Sequence, residues 1–90
     1  MYPVYVVTQG AKLRINNRRL QVELDGDGGT EVLTSVPLGQ ISEVVLFGNI
    51  GITTPAIDTL LGQNCEITFL TQNGAFRGRI IGDMTPHVPL

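Results

Sequence analysis

The first half of the chain is a series of short runs of β-branched and aromatic residues, separated by Gly, Asn and Asp. Such runs predict strands bounded by turns. We expect strands at residues 2–8, 12–16, 19–24, 31–36 and 41–47, the first three forming a meander with turns at 9–10 and 17–18. Within residues 12–16 charged and aliphatic residues alternate, so Lys12 and Arg14 share one face and Leu13 and Ile15 the other.

Two of these runs have further patterns that bear on burial. In residues 19–24 the same alternation predicts that Leu20, Val22 and Leu24 point inward and that Arg19, Gln21 and Glu23 point outward. Residues 44–46 are apolar without interruption, which is typical of a strand covered on both sides. The fifth strand is therefore expected near the centre of the fold.

One helix is predicted after the Gly48-Asn49 break. Thr54 is the expected N-cap, with Pro55 at the first helical position. Asn64 can adopt the left-handed conformation that ends a helix. The helix is short and must pack on a sheet to be stable, through a stripe formed by Ile57, Leu60 and Leu61.

Two more strands are expected at residues 66–70 and 76–81, joined by a turn that contains Asn73-Gly74, a strong hairpin signal. The predicted fold is α+β and mostly β, with two small antiparallel sheets of about seven strands and one short helix packed on them. The domain is expected to span residues 1–82. Residues 83–90 contain two prolines and no periodicity, so they are predicted to be a linker that leads elsewhere.

Composition supports a small folded domain. Hydrophobic residues make up 42% of the 90 positions and charged residues only 16%, which is typical of a globular chain and not of a disordered one. Cys65 is the only cysteine, so no internal disulfide can form, as expected for a reducing compartment. The sequence contains neither a signal-peptide pattern nor an apolar run long enough to span a membrane. We therefore expect a cytoplasmic protein.

Charge is segregated along the chain. Residues 1–22 contain four basic residues and no acidic one, whereas residues 23–75 contain seven acidic residues and no Lys or Arg. Lys12 and Arg14 lie two apart on one strand, as do Arg77 and Arg79 on the last strand. Cations spaced roughly 6–7 Å apart suit a phosphate backbone, so these four are the candidate DNA-binding residues. The alternative is that they belong to ordinary solvated faces.

The sequence offers little other candidate chemistry. Asp25 and Asp27 resemble the start of a calcium loop, but Val36 stands where a bidentate acid is required, so we interpret the segment as a hairpin turn. Cys65 is expected to be a buried structural residue, and His87 has no second ligand at metal spacing. No catalytic or metal-binding residue is therefore assigned. No aromatic platform for single strands is expected either, because the core is predicted to take up Phe47, Phe69 and Phe76.

Three segments together resemble the N-terminal domain of the CRISPR adaptation integrase family. The first is YVVTQGA at residues 5–11, and the second is EVVLFGN at 43–49, followed by Thr53 and the Leu60-Leu61 helix. The third is ITFL at 67–70, with NGAF at 73–76 and Gly82. Each segment alone is only moderately specific, but their order and spacing together are much more so. The similarity covers about residues 2–84.

The resemblance implies a role in a larger protein. Members are metal-dependent DNA nucleases and integrases that, with a small partner subunit, insert captured foreign DNA into a CRISPR array. Their metal ligands, for Mg²⁺ or Mn²⁺, lie in a helical domain that would follow the linker. The fragment itself is therefore expected to be neither an enzyme nor a cofactor binder.

The resemblance also implies that the β-domain forms a homodimer and binds double-stranded DNA. Some members place an aromatic residue at the first turn to stack on the end of the duplex, whereas this chain has Gln9 and Gly10 there. The alternative to the integrase interpretation is a free-standing β-rich scaffold or peptide-binding module. A helical continuation containing Glu, His and Asp would favour the integrase.

Overall fold

The computed structural model describes residues 1–82. These residues form eight strands, one α-helix and a short 3-10 helix at Leu38–Gln40. In chain order the strands and the α-helix are β1 (Tyr2–Val6), β2 (Lys12–Asn16), β3 (Arg19–Gly26), β4 (Gly29–Pro37), β5 (Ile41–Phe47), β6 (Gly51–Ile52), α1 (Thr54–Gly62), β7 (Glu66–Leu70) and β8 (Phe76–Ile80). The mostly-β α+β class is confirmed.

The strands are divided between two four-stranded sheets. Sheet 1 has the order β1-β5-β7-β8, in which β1, β5 and β7 are parallel and β8 is antiparallel to β7. Sheet 2 has the order β4-β3-β2-β6, antiparallel except that β6 runs parallel to β2. Both sheets are therefore mixed, and the prediction of purely antiparallel sheets was wrong.

The predicted meander of the first three strands was also wrong. The turn at residues 9–10 exists, since Ala11 N donates to Thr8 O at 3.1 Å, but it takes the chain from sheet 1 into sheet 2. β1 pairs instead with β5, far along the sequence. Alternation of side chains specifies the faces of a strand and not its neighbours, because parallel pairing depends on a long crossover. The prediction also missed β6, whose two residues give no periodic signal.

One hydrophobic core lies between the sheets. Residues from both sheets and from α1 contribute, and the largest fully buried side chains are Leu13, Leu20, Ile41, Leu46, Leu60, Ile67, Val44 and Cys65. The helix contacts β2 in sheet 2 and β7 in sheet 1. Because both inner faces pack on this core, the outer faces of the two sheets point away from it on different sides of the domain.

The helix begins one residue earlier than predicted. Thr53 is the N-cap, and its hydroxyl accepts a hydrogen bond from Ala56 N at 3.3 Å. Thr54 and Pro55 occupy the first two helical positions, where proline loses no helical hydrogen bond. The predicted end is confirmed, since Asn64 has a positive φ of 63°.

Two hairpin turns match their predictions. Asn17 and Arg18 both have positive φ, as a tight two-residue turn between β2 and β3 requires. The Asp-Gly segment joins β3 to β4, and Thr30 Oγ1 donates to Asp25 Oδ1 at 2.7 Å across the ladder. Leu24, predicted inward, is only partly buried because β2 begins opposite Glu23 and the β3–β4 hairpin extends beyond that point.

Candidate nucleic-acid interface

The outer face of sheet 2 contains the largest group of cations in the described residues. Lys12 and Arg14 are both exposed on β2, on the face opposite the core, as the alternation predicted. Directly across on β3 lie Glu23 and Gln21. The Glu23 residue is only 8% exposed, and Arg14 Nη1 lies 3.7 Å from its carboxylate. Arg14 is therefore partly neutralised, whereas Lys12 forms no ion pair within residues 1–82.

Arg19 belongs to the same face and was not among the predicted site residues. It lies on β3 opposite Asn16, and its guanidinium donates from Nε to Ser35 Oγ at 2.7 Å and from Nη2 to Ser35 O at 3.0 Å. These bonds hold the side chain across β4 and fix its charge in place. The alternation that placed Arg19 outward was the available signal for including it.

Arg77 and Arg79 do not form the regular pair that their spacing suggested. The β7–β8 register shifts so that Phe69 pairs with Gly78 but Leu70 pairs with Phe76, which leaves Arg77 without a partner in the ladder. Such a bulge breaks the period of two. Arg79 lies 5.8 Å above the Phe76 ring, and its Nε is 3.8 Å from the Glu66 carboxylate. The two arginines therefore face different surroundings.

Arg77 lines a concave pocket of about 560 Å³ where the loops of the two sheets meet. The side chain is exposed and forms no ion pair within residues 1–82. The other lining residues are mostly polar or small, namely Gln9, Gly48, Asn49, Ile50, Phe69, Thr71 and Gln72. A free guanidinium beside hydroxyl and amide groups is suited to an anionic, hydrogen-bonding ligand such as a phosphodiester.

Gln9 shapes this pocket through hydrogen bonds to two distant segments. Its Nε2 donates to Phe47 O at 2.7 Å and to Val7 O at 3.0 Å, and its Oε1 accepts from Asn49 N at 2.7 Å. The amide lies over Gly48, where a β-carbon would overlap it. Gly48 also has φ of +85°, which glycine adopts without strain. Glycine at position 48, where the strand pattern stops, is therefore favoured both by the positive φ and by the close approach of the Gln9 amide.

The outer face of sheet 1 is different because it contains exposed aromatic residues. Phe76 is 64% exposed and Phe47 only partly buried, so the prediction that all three phenylalanines are core residues was wrong for Phe76 and only partly right for Phe47. The bulge reverses the expected side of Phe76. Phe69 packs against the core, as predicted.

The remaining candidates have structural explanations within the described residues. Cys65 is buried, as predicted, and its Sγ donates to Ile41 O at 3.1 Å. No group of three or more His, Cys, Asp or Glu side chains in residues 1–82 could hold a metal ion, so this part of the chain does not fit the divalent metal that the resemblance implies. His87 and the predicted linker at 83–90 lie outside the described residues. None of the helices in residues 1–82 has the length and apolarity that a membrane crossing requires.

Comparison with known proteins supports the resemblance. A family model described as CRISPR associated protein Cas1 matches residues 4–90. The chain belongs to the Cas1 family. It is 27% identical over 85 residues to the CRISPR-associated endonuclease Cas1 1 of Moorella thermoacetica, a match that covers 94% of this chain and 24% of that protein. The chain therefore spans about a quarter of the length of this Cas1 relative.

Solved Cas1 structures have the same fold. A chain of a partial Cas6-RT-Cas1–Cas2 complex matches with a TM-score of 0.77 and 19% identity, over 92% of this chain and 24% of that one. A chain of the TtCas1-DNA complex matches with a TM-score of 0.67 and 16% identity, over 91% of this chain and 30% of that one. At these identities the likeness establishes the fold alone.

Proposed function

We propose that this chain is the N-terminal β-domain of a Cas1 integrase, which pairs two copies of the protein and holds duplex DNA by its backbone. The observation that carries the proposal is the outer face of sheet 2, where Lys12 and Arg14 are exposed on one strand of a Cas1-family chain. Phosphate contacts position a duplex without reading its sequence. Capture of foreign DNA of arbitrary sequence requires that property.

Arg77 and Arg79 complete the proposed contact set, with unequal contributions. Arg77 is free of ion pairs within residues 1–82 and lines the pocket at the junction of the sheets. Arg79 already has a carboxylate 3.8 Å away. Because both members of that ion pair are partly exposed, the pair is weak, but its carboxylate still opposes an approaching phosphate. We therefore expect the contributions of the two paired arginines, Arg14 and Arg79, to be smaller than those of Lys12 and Arg77.

Bond cleavage and joining are proposed to belong to the remainder of a full-length protein. The Moorella thermoacetica relative is named an endonuclease, and this chain matches only a quarter of it. We propose that the divalent metal, Mg²⁺ or Mn²⁺, is bound outside the domain. Partners are proposed by analogy with the matched structures, one of which contains Cas2 and another DNA.

Salt dependence of DNA binding tests the proposed contacts. Titration of a duplex of about 20 base pairs with the 90-residue chain should give a logarithmic affinity that falls linearly with the logarithm of salt concentration. Each lost phosphate contact lowers the slope by about 0.9. We expect Arg77→Ala to reduce it by that amount and Arg14→Ala by less, because Glu23 partly neutralises Arg14, as measured by fluorescence anisotropy.

Gly28→Asp is the matched control for Arg14→Ala, because it also lowers the net charge by one. Gly28 lies in the β3–β4 turn and has no atom within 4 Å of its β-carbon position. Equal slopes for wild type and Arg14→Ala would contradict contact at Arg14. Equal losses for Arg14→Ala and Gly28→Asp would mean that only net charge matters.

A further inference from the structure

Arg19 combines two properties that no other arginine in residues 1–82 combines: its guanidinium is held in place, and no carboxylate neutralises it. The guanidinium donates to Ser35 twice, from Nε to Oγ at 2.7 Å and from Nη2 to the backbone oxygen at 3.0 Å. The arginines that form ion pairs do so with a glutamate, which offsets their charge. Because serine is neutral, Arg19 keeps its full positive charge in a fixed position.

The bonds to Ser35 carry this charge sideways across sheet 2. Arg19 lies on β3 opposite Asn16 of β2, whereas Ser35 lies on β4 and pairs with Gln21. The guanidinium therefore reaches over β4, in the row across the sheet that has Arg14 on β2. Neighbouring strands are about 4.8 Å apart, so β2 and β4 are separated by roughly 10 Å.

The outer face of sheet 2 consequently has cations along two lines. Lys12 and Arg14 form the first line, along β2, where successive outward side chains are roughly 6–7 Å apart. Arg19 belongs to the second line, at β4. A single strand of nucleic acid laid along β2 satisfies the first line, since its phosphates repeat on a similar scale. It leaves Arg19 without a phosphate, because the distance from β2 to β4 exceeds that repeat.

A duplex supplies phosphates for the second line as well. The minor groove of B-DNA is about 6 Å wide, so phosphate centres on its two sides lie roughly 11–12 Å apart once the phosphate radii are added. That distance is close to the separation of β2 and β4. The bonds to Ser35 use Nε and Nη2 of Arg19, which leaves Nη1 available to a ligand. A side chain that is already ordered also loses little conformational freedom on binding.

The charges of the β3–β4 hairpin favour the end where Arg19 lies. Asp25 is near the end of β3, and Asp27 follows in the turn that joins β3 to β4. Arg19 begins β3 at the opposite end of the hairpin, directly after Arg18 in the β2–β3 turn. A polyanion is therefore attracted to the Arg19 end of this face and repelled from the other end.

We propose that Arg19 selects duplex over single-stranded DNA, because it binds the phosphates across the groove from the strand that follows β2, and that Ser35 positions it. This selection rests on the backbone contact in the proposed function and adds the residue that distinguishes the two forms of DNA. A purely structural tie between β3 and β4 would affect the stability of the domain but not its preference between those forms.

Salt titrations with two probes test the selection. The 90-residue chain is titrated against a duplex of about 20 base pairs and against oligo-dT of the same length, with fluorescence anisotropy as the readout. For Arg19→Ala we expect the slope on the duplex to fall by about 0.9 and the slope on oligo-dT to stay at the wild-type value. Lys12→Ala is the comparison, because it removes a cation of the first line. It should lower both slopes, by about 0.9 on the duplex and about 0.7 on oligo-dT.

Three further variants separate position from charge. Arg19→Lys keeps the charge but lacks the planar fork that donates twice to one partner, so it should lower the ratio of duplex to oligo-dT affinity. Ser35→Ala removes the Oγ acceptor without a change of charge, and should weaken duplex binding about two- to fivefold. Ser35→Thr keeps the hydroxyl and should restore it. Urea unfolding of each variant distinguishes a loss of selection from a loss of folding.

The outcomes separate this selection from the proposed function. If the wild-type chain binds neither probe, or Lys12→Ala leaves both slopes unchanged, the proposed DNA contact is wrong and the selection fails with it. If Lys12→Ala lowers both slopes while Arg19→Ala lowers neither, or lowers both equally, the DNA contact stands and Arg19 does not select duplex. If Ser35→Thr binds duplex as weakly as Ser35→Ala, or Arg19→Lys keeps the full duplex preference, positioning by Ser35 is wrong.

Discussion

The outer faces of the two sheets follow the same alternation yet present opposite chemistry. On sheet 2 the outward positions of β2 are Lys12 and Arg14, with polar residues across from them on β3. On sheet 1 the outward positions include Tyr5, Val45 and Phe47. An antiparallel, solvated sheet keeps its polar residues outside. The apolar outside of sheet 1 departs from that pattern.

The difference follows from strand order. β5 and β7 are central and parallel strands of sheet 1, and central parallel strands are usually apolar on both sides because they are covered on both sides. β2 and β3 belong to hairpins with one face in water. The domain therefore has a surface with exposed cations and an apolar surface, on different sides of a shared core.

The largest effect is expected at the junction between the two sheets, where Gln9 and Gly48 meet. Gly48→Ala places a β-carbon into the Gln9 side-chain amide, at a φ of +85°. Strain in the left-handed region costs about 1–2 kcal/mol, and displacing the partly exposed Gln9 amide from its hydrogen bonds costs about 0.5–1.5 kcal/mol more. We expect the free energy of unfolding to fall by roughly 1.5–3.5 kcal/mol, as measured by urea denaturation.

Gly28→Ala is the control for this substitution. Gly28 has open space around its β-carbon position and no left-handed φ, so its replacement should change stability by less than about 0.5 kcal/mol. A Gly48→Ala protein as stable as Gly28→Ala would show that the Gln9 hydrogen bonds do not hold the two sheets together.

A smaller effect is expected at the helix, which contacts both sheets. Thr53→Ala removes the hydroxyl that accepts from Ala56 N, and loss of an N-cap costs about 1 kcal/mol. Thr54→Ala, at the next position, should cost only a few tenths of that. The same urea experiment distinguishes them. Greater destabilisation by Thr54→Ala would contradict the N-cap assignment.

Much of the fold could be predicted because strands, turns and the helix depend on local chemistry. Asn17, Gly29 and Asn64 each adopt the positive φ that their residue types favour. Strand pairing could not be predicted in the same way. The partner of β1 is β5, nearly forty residues away, and nothing in the alternation of β1 distinguishes that partner from β2.

The candidate site was predicted where strands are regular and not where they are irregular. Lys12 and Arg14 share a face because β2 pairs with β3 without a bulge. The bulge in β8 separates Arg77 from Arg79 and exposes Phe76. A bulge adds one residue without a distinctive sequence mark, so alternation counted along the chain fails beyond it. The pocket at Arg77 was also missed, because loops from distant parts of the chain form it.

The smallest effect is expected from a substitution that makes the outer face of sheet 2 more basic. Glu23→Gln keeps the shape of a side chain that is nearly buried against Arg14 but removes its charge. Arg14 is then free to pair with phosphate, so duplex affinity should rise by up to about fivefold, the range that a weak ion pair implies. Fluorescence anisotropy at low salt measures the change.

Glu31→Gln removes the same charge from β4, where it forms no ion pair within residues 1–82. An equal gain from both variants would show that net charge, and not the Arg14–Glu23 contact, limits DNA binding on this face.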